Sequence, residues 1–213
     1  MIKDKAYYYK YETLNIWTHG FGVVFFFLSS IYLVIQASIS TIPYSKFSTI
    51  IFGISLILLY SASTRYHWAK RKLDPRTRRF QMYDHLGIYY LIAGSYTPFV
   101  LINMGSGSGW RIFYSIWIIA IIGTIFKLIF KNKYKLLSLF LYIIMGWIIL
   151  IDFNELQVSS SSQTLYYIIF GGILYSIGTI FYIAEKIRYN HPIWHLFVLG
   201  GSFCHYLGVL SLL

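Results

Sequence analysis

The sequence predicts an all-α protein, a polytopic bundle of seven transmembrane helices with its N-terminus inside and its C-terminus outside. Three observations lead to this prediction. The 213 residues are 57% hydrophobic and only 12% charged, a balance too apolar for a soluble domain of this size. Seven apolar segments approach or exceed the length that crosses a bilayer. The basic residues cluster in alternate connections between these segments, as they do in membrane proteins.

The first four predicted helices are separated by charged or glycine-containing segments. Residues 1–11 form a short basic cytoplasmic tail, and helix 1 covers about 13–36, inside a stretch without Asp, Glu, Lys or Arg. Helix 2 covers about 47–67. Helix 3 covers about 81–102 and ends at the glycine-serine turn 105–109, and helix 4 covers about 111–130. The loop after helix 2 is the most basic segment, with Lys70, Arg71, Lys72, Arg76, Arg78 and Arg79.

The last three predicted helices are less uniform in length. Helix 5, at about 136–152, is slightly short for a span of ~20 residues, and the loop 152–163 carries acidic but no basic residues. Helix 6 covers about 164–185. Helix 7 begins at His191 and is apolar to Leu213, interrupted only by Ser202, His205 and Ser211. No linker divides the chain, so residues 1–213 are predicted to form a single domain.

The distribution of basic residues orients the predicted bundle. With the N-terminus inside, 16 of the 18 Lys and Arg residues lie inside, and only Lys46 and Arg111 lie outside. The positive-inside rule therefore places the N-terminus inside and the C-terminus outside. A net charge of +11 in a soluble protein would suggest a nucleic-acid partner. Here the basic clusters fit membrane orientation alone, and we expect no nucleic acid.

Ionisable side chains from four predicted helices gather at one depth near the inside surface. His191 and His195 are four residues apart, so they share one face of helix 7, and Pro192 fits its first turn. His67 closes helix 2 and Asp84 opens helix 3 on this side, and Glu12 and His19 lie near the start of helix 1. Such residues usually face a bundle interior or a cavity. Three imidazoles would leave a fourth position open on a bound zinc ion, although they also suit other divalent metals. The alternative is a pair of interfacial histidines.

Three motifs of the sequence resemble those of the progestin and adipoQ receptor family, which includes adiponectin receptors and bacterial hemolysin III proteins. The first is Glu12-Thr-Leu-Asn15-Ile-Trp-Thr-His19. The second is Ser63-Thr-Arg-Tyr-His67 followed by Asp84-His-Leu-Gly87-Ile, and Gly94-Ser-Tyr-Thr-Pro98 on helix 3 also fits. The third is His191-x-x-x-His195. The match runs from Glu12 to His205, and the short tail is similar to the bacterial hemolysin III branch.

This resemblance implies a ligand set and a candidate base. In the family one zinc ion is held by one histidine of the second motif and two of the third. These positions correspond to His67, His191 and His195. The aspartate that holds the zinc-bound water corresponds to Asp84. A helix N-terminal carboxylate favoured by the helix dipole is the alternative interpretation of Asp84.

The remaining candidate residues have less specific roles. Ser63 lies one turn before His67 on the same face, where its hydroxyl could orient water or a substrate carbonyl, or bond a carbonyl of its own preceding turn. Glu12, Asn15 and His19 form one polar stripe. We expect His19 to line the cavity or to orient a metal-binding side chain, and direct binding of the metal is the alternative. His205 lies ten residues beyond His195, about 15 Å deeper at ~1.5 Å per residue. It is therefore predicted to line the cavity.

Three classes of function are compatible with the sequence. A three-histidine metal site, a nearby carboxylate and a cavity inside the bilayer favour a zinc-dependent hydrolase of a lipid amide or ester. The family's similarity to ceramidases suggests a ceramide-like substrate. The name hemolysin suggests instead a pore-forming, cytolytic or channel protein, and a receptor is a third possibility. The expected location is the cell membrane, or the inner membrane of a Gram-negative source. We expect no cleavable signal peptide, and the oligomeric state stays open.

Overall fold

Seven helical spans dominate the computed structural model of the chain, which describes residues 5–131 and 133–213. Each span is long and apolar enough to cross a membrane, and the described secondary structure is helical throughout. These findings confirm the predicted all-α, seven-transmembrane class. Lys3 and the rest of the first four residues of the predicted tail lie outside the described residues.

The helices follow one another with short connections. Their bounds are α1 Lys5–Ile39, α2 Ser45–Arg71, α3 Thr77–Pro98, α4 Gly109–Phe130, α5 Lys135–Trp147, α6 Phe153–Ser159, α7 Ser162–Ile183 and α8 Asn190–Leu210. A π-helical turn, Phe99–Asn103, extends α3 just after Pro98, whose ring cannot donate an N–H to the α-helical pattern. A 3-10 turn, Ile148–Asp152, joins α5 to α6 within one span.

The helix α1 begins eight residues before the predicted start of helix 1. Polar and aromatic side chains of the predicted tail fix this extension to the rest of the bundle. The Tyr8 hydroxyl donates to the Lys70 carbonyl at 2.7 Å, and the Tyr11 hydroxyl donates to Asn190 Oδ1 at 2.9 Å. The apolar run therefore marked the part of the helix that fits a bilayer, and the helix itself starts earlier.

The fifth span is longer than predicted because α6 is fixed to the start of α4. The prediction ended helix 5 at residue 152 and continued with a loop, whereas α6 runs to Ser159. The Glu155 carboxylate accepts the Ser108 backbone N–H at 3.0 Å and the Ser108 hydroxyl at 2.6 Å. Gly107 allows this close approach, because a Cβ at that position would collide with the carboxylate. A carboxylate at a helix N-terminus also interacts favourably with the helix dipole.

The helix α3 begins at Thr77, four residues before the predicted position. Asp74 builds the turn that precedes it, accepting the Arg76 backbone N–H at 2.8 Å and the Arg76 guanidinium at 2.9 Å. The hydrogen bond from the Arg76 side chain lowers the pKa of the Asp74 carboxyl, in the connection between α2 and α3, to about 2. Asp84, predicted to open the helix, therefore lies about two turns inside it. At the other end of the chain, α8 ends at Leu210, three residues before the predicted end.

The spans pack as a closed bundle. α1 packs against α2, α2 against α3, α3 against α4 and α7 against α8. The contacts of α8 with α1, and of α5 with both α3 and α7, close the bundle. The outward faces carry large apolar side chains, such as Trp17 (72% exposed) and Phe21 (62% exposed), as expected of helices surrounded by lipid.

Candidate metal centre

Three imidazoles from two helices meet at one end of the bundle. His67 lies in the last turns of α2, and His191 and His195 lie in the first two turns of α8. One ring nitrogen of each lies within 4.8 Å of the other two, and Nε2 of His67 is 3.2 Å from Nε2 of His191. Two nitrogens bound to one tetrahedral zinc at ~2.0–2.1 Å would be about 3.3–3.4 Å apart. This cluster could therefore hold a metal ion.

The turn before α8 positions its two histidines. Tyr189 adopts a left-handed conformation with φ 60°, an uncommon geometry for a bulky residue that reverses the chain sharply after α7. The next residue, Asn190, holds the turn from both sides. Its side-chain N–H donates to the Phe181 carbonyl at 3.1 Å, and its Oδ1 accepts the Tyr11 hydroxyl. The helix start is thus tied to both α7 and α1.

The helix α1 provides the acceptor that orients His67. Oε2 of Glu12 lies 2.7 Å from Nδ1 of His67, and both side chains are almost fully buried. Glu12 also pairs with Lys70 Nζ at 2.7 Å and accepts the Asn15 side-chain amide at 3.5 Å. When Nδ1 donates its proton to the carboxylate, Nε2 keeps a free lone pair, the form that binds a metal. Lys70 compensates the charge of the buried carboxylate.

A second acceptor on α1, Thr18, orients His195 in the same way. Thr18 Oγ1 lies 3.0 Å from Nδ1 of His195, and its hydroxyl proton reaches the carbonyls of Leu14 at 2.9 Å and Asn15 at 3.0 Å. Because the single hydroxyl proton goes to the backbone, Oγ1 is left to accept the Nδ1–H of His195. Nε2 of His195 is buried without a hydrogen-bond partner among the described residues. An unsatisfied buried group costs about 1–3 kcal/mol, and a metal ion would satisfy it.

Replacing Thr18 by valine should weaken zinc binding by about 10–100-fold, the usual cost of losing a partner that orients a ligand. Valine keeps the shape of threonine but cannot accept the imidazole N–H. The measurement is competition with a chelator of known zinc affinity. Thr13→Val is the matched control, because Thr13 lies on the same helix, is not fully buried and donates only to the Tyr9 carbonyl. Equal zinc affinities in wild type and Thr18→Val would show that this contact does not orient His195.

Asp84 and Ser63 lie beside the histidine cluster. Asp84 is 3% exposed and close enough to His67 for the two groups to interact electrostatically. Its position two turns inside α3 excludes the helix-dipole interpretation, because that effect falls off within the first turn. Ser63 is fully buried next to Asp84, but its oxygen makes no hydrogen bond of good geometry within the described residues. The predicted alternative, a bond to its own preceding turn, is therefore not observed.

His19 and His205 lie outside the three-nitrogen cluster. The His19 ring stacks on the ring of His195, with centroids 3.5 Å apart and an angle of 13° between the planes. Both of its nitrogens are buried without a partner in the described part of the chain. His205 lies deeper along α8, where its Nε2–H donates to the Ile168 carbonyl at 3.3 Å.

Two cavities meet beside Asp84, and one of them reaches the histidine cluster at His191. We call one the apolar cavity, with a volume of about 120 Å³; its lining includes Ile88, Leu91, Tyr175, Val198, His19 and His205. We call the other the polar cavity, of about 410 Å³; its lining includes Lys70, Gln81, Lys135, Glu185, Asn190 and His191. Four residues line both cavities: Asp84, Leu139, Tyr182 and Trp194. The boundary between polar and apolar surroundings thus lies at Asp84.

Several residues at the site were not predicted from the sequence. Thr18 stands inside the first motif, one turn after Asn15, and this spacing was a signal that could have identified it. Lys70 was assigned only to membrane orientation, although it lies three residues after His67 on the same helix. Tyr182 and Trp194 are two of the 27 tyrosine and tryptophan residues in the chain. Nothing in the sequence shows that they line the boundary between the cavities.

Comparison with known proteins identifies the family of the chain. The model of the family described as "Haemolysin-III related" matches residues 7–206. The chain is 41% identical over 202 residues to a protein named "Hemolysin-3 homolog" from Bacillus subtilis (strain 168), covering 94% of this chain and 93% of that protein. It is 40% identical to "Hemolysin-3" from Bacillus cereus, covering 94% and 91%. It is also 31% identical over 201 residues to the human "Monocyte to macrophage differentiation factor", covering 92% and 81%. The resemblance carried by the three motifs is therefore confirmed, and the chain is a multi-pass membrane protein that belongs to the haemolysin III family.

Proposed function

We propose that the protein is a zinc-dependent membrane hydrolase that cleaves an amide or ester bond of a membrane lipid. The observation that carries this proposal is the position of Asp84, a buried carboxylate beside three clustered histidines at the boundary of a polar and an apolar cavity. A carboxylate next to a metal-binding cluster is a usual arrangement for activating water. An apolar cavity next to it suits the hydrocarbon part of a lipid.

The residues of the chain suggest a division of roles. A divalent ion on the three imidazoles would supply Lewis acidity and make water more acidic. Asp84 would take a proton from the attacking water at its carboxylate oxygen and pass it to the leaving group. The Ser63 hydroxyl, beside Asp84, would orient the water or the substrate carbonyl. The lipid chain would occupy the apolar cavity and the head group the polar cavity, which places a ceramide-like amide bond near Asp84.

A pore-forming or cytolytic activity is the second candidate. The names of the two Bacillus relatives refer to haemolysis, and the two cavities follow one another into the bundle. However, an aromatic pair, Tyr182 and Trp194, with ring centroids 4.9 Å apart, lies where the cavities meet. Such a boundary fits a closed substrate site better than an open aqueous path.

One paired experiment separates the two functions. The purified protein is reconstituted into liposomes, and hydrolysis of a panel of lipid amides and esters, ceramide included, is measured beside ion leakage. We expect turnover that a chelator abolishes and zinc restores, without leakage. Leakage without turnover of any lipid in the panel would contradict the hydrolase and favour the pore.

We also propose that the polar cavity opens to the cytoplasm. This follows from the distribution of basic residues, 16 of 18 of which lie on the N-terminal side of the membrane. A C-terminal alkaline phosphatase fusion should be active, and a C-terminal green fluorescent protein fusion should be dark. Fusions truncated at residue 133, between α4 and α5, should give the opposite pair of results. A fluorescent C-terminal fusion with an inactive phosphatase would reverse the proposed orientation.

A further inference from the structure

We propose that the hydroxyl group of Tyr182 donates a hydrogen bond to the carbonyl oxygen of the lipid substrate. This inference rests on the proposed hydrolase function and adds a residue that binds the reacting group. Tyr182 lies in the last turn of α7 and lines both the polar and the apolar cavity. It therefore stands at the boundary where the polar and apolar parts of a lipid would meet.

The position of the Tyr182 ring is fixed by aromatic neighbours. Its centroid lies 4.9 Å from the Trp194 ring and 6.1 Å from the ring of His191, one of the three clustered histidines. Tyr182 is also close enough to Asp84 for the two groups to interact electrostatically. A substrate carbonyl placed between Asp84 and the histidine cluster would thus have the Tyr182 phenol as a neighbour.

The Tyr182 hydroxyl has no hydrogen-bond partner among the described residues, whereas two nearby tyrosines, Tyr142 and Tyr11, are already bonded. The Tyr142 hydroxyl donates to the His85 carbonyl at 2.9 Å, and the Tyr11 hydroxyl donates to Asn190 Oδ1 at 2.9 Å. A half-buried phenol usually finds a partner for its O–H. A ligand carbonyl in the adjoining cavities would supply one.

Other hydrogen-bond donors near the boundary between the two cavities are less suitable for binding the substrate carbonyl. Tyr66 lines the polar cavity but not the apolar cavity, so it does not lie at the boundary between them. Cδ1 of Trp194, the atom bonded to the indole nitrogen, lies next to Gly178 of α7, so this edge of the ring is packed against a helix. Asp84, acting as a base, accepts a proton at this stage and cannot donate one.

The chemistry of the step explains why a donor is needed. When water attacks the carbonyl carbon, a C–O bond forms and negative charge develops on the carbonyl oxygen. A hydrogen bond aimed at that oxygen strengthens as the charge develops. The C–N or C–O bond to the leaving group then breaks, and the proton that Asp84 took from water passes to the leaving atom. Tyr182 keeps its proton throughout.

The test is Tyr182→Phe, which removes the hydroxyl and keeps the ring. Two properties are measured: turnover of ceramide with zinc present, and the infrared carbonyl stretch of ¹³C-carbonyl ceramide bound to metal-free protein. We expect turnover to fall by about 10²–10³-fold, the cost of removing one such donor, and the stretch to move to higher wavenumber. Tyr166→Phe, an exposed tyrosine on the same helix, is the matched control and should change neither property.

The two readouts separate this inference from the proposed function. An unchanged carbonyl stretch in Tyr182→Phe overturns the inference, whatever the rate does. A shift in Tyr66→Phe instead of Tyr182→Phe overturns it as well. A shift in Tyr182→Phe, with no turnover by wild type, supports the carbonyl contact and contradicts the hydrolase function.

Discussion

Single replacement of His67, His191 or His195 by alanine should remove most of the metal from protein purified without added zinc. Each change takes away one of three ligand nitrogens that lie within 4.8 Å of one another. The two remaining imidazoles cannot form the three-ligand set that holds zinc and leaves its fourth position open. The loss of affinity should exceed the ~10–100-fold expected when only an orienting partner is removed. The measurement is metal content per chain by mass spectrometry of the purified protein.

His205→Ala is the matched control for this prediction. His205 lies on the same helix as His191 and His195 but binds the Ile168 carbonyl in a different part of the bundle. Its replacement should leave the metal content unchanged. A full equivalent of metal in the triple His67, His191 and His195 variant would contradict the site. Loss of metal in His205→Ala would show that His205 takes part in the metal site.

Asp84→Asn should abolish lipid turnover while leaving metal and fold in place. Asparagine has nearly the same shape as aspartate and can still hydrogen-bond to water, but it cannot accept a proton as a general base. Losing a general base typically lowers the rate by ~10²–10⁴-fold. In a pore, a single carboxylate would change ion selectivity rather than abolish the flux. The measurement is the rate of ceramide hydrolysis in detergent beside ion leakage from liposomes.

Asp74→Asn is the matched control, because it makes the same chemical change in an exposed turn where Asp74 bonds only Arg76 and the turn backbone. This variant should keep wild-type turnover. Turnover in Asp84→Asn equal to that of wild type would remove Asp84 from the proposed mechanism. Leakage that persists in Asp84→Asn, with no turnover by either protein, would favour the pore.

The sequence was sufficient to predict the helical spans but not all of their ends. Apolar runs report which residues fit a bilayer, so the seven spans could be counted directly. Helices that extend beyond the apolar run depend on tertiary contacts, such as those of Tyr8 with the Lys70 carbonyl and of Glu155 with Ser108. These contacts join residues 47 or more positions apart, and neither hydropathy nor spacing along one helix encodes them.

The candidate site, like the helices, could be predicted from the sequence only in part. The spacing of His191 and His195, and the end of the bundle that His67 shares with them, could be predicted because both depend on helix geometry and span count. The contacts of Thr18 with His195 and of Tyr182 with Trp194 depend on how each helix is rotated about its axis. That rotation is set by packing between helices, which a single sequence does not specify. Asp84 was placed on the correct helix, but its distance from the helix start was underestimated because the turn at Asp74 starts α3 earlier.

X-ray absorption spectroscopy of the purified wild-type protein tests the three-histidine centre most directly. The account predicts about one zinc per chain, with a first coordination sphere of about three imidazole nitrogens at ~2.0–2.1 Å and one further light atom. Protein without bound metal after purification in zinc-containing buffer would contradict the account. A coordination sphere with sulfur at ~2.3 Å, which only Cys204 and the methionines could supply, would contradict it equally.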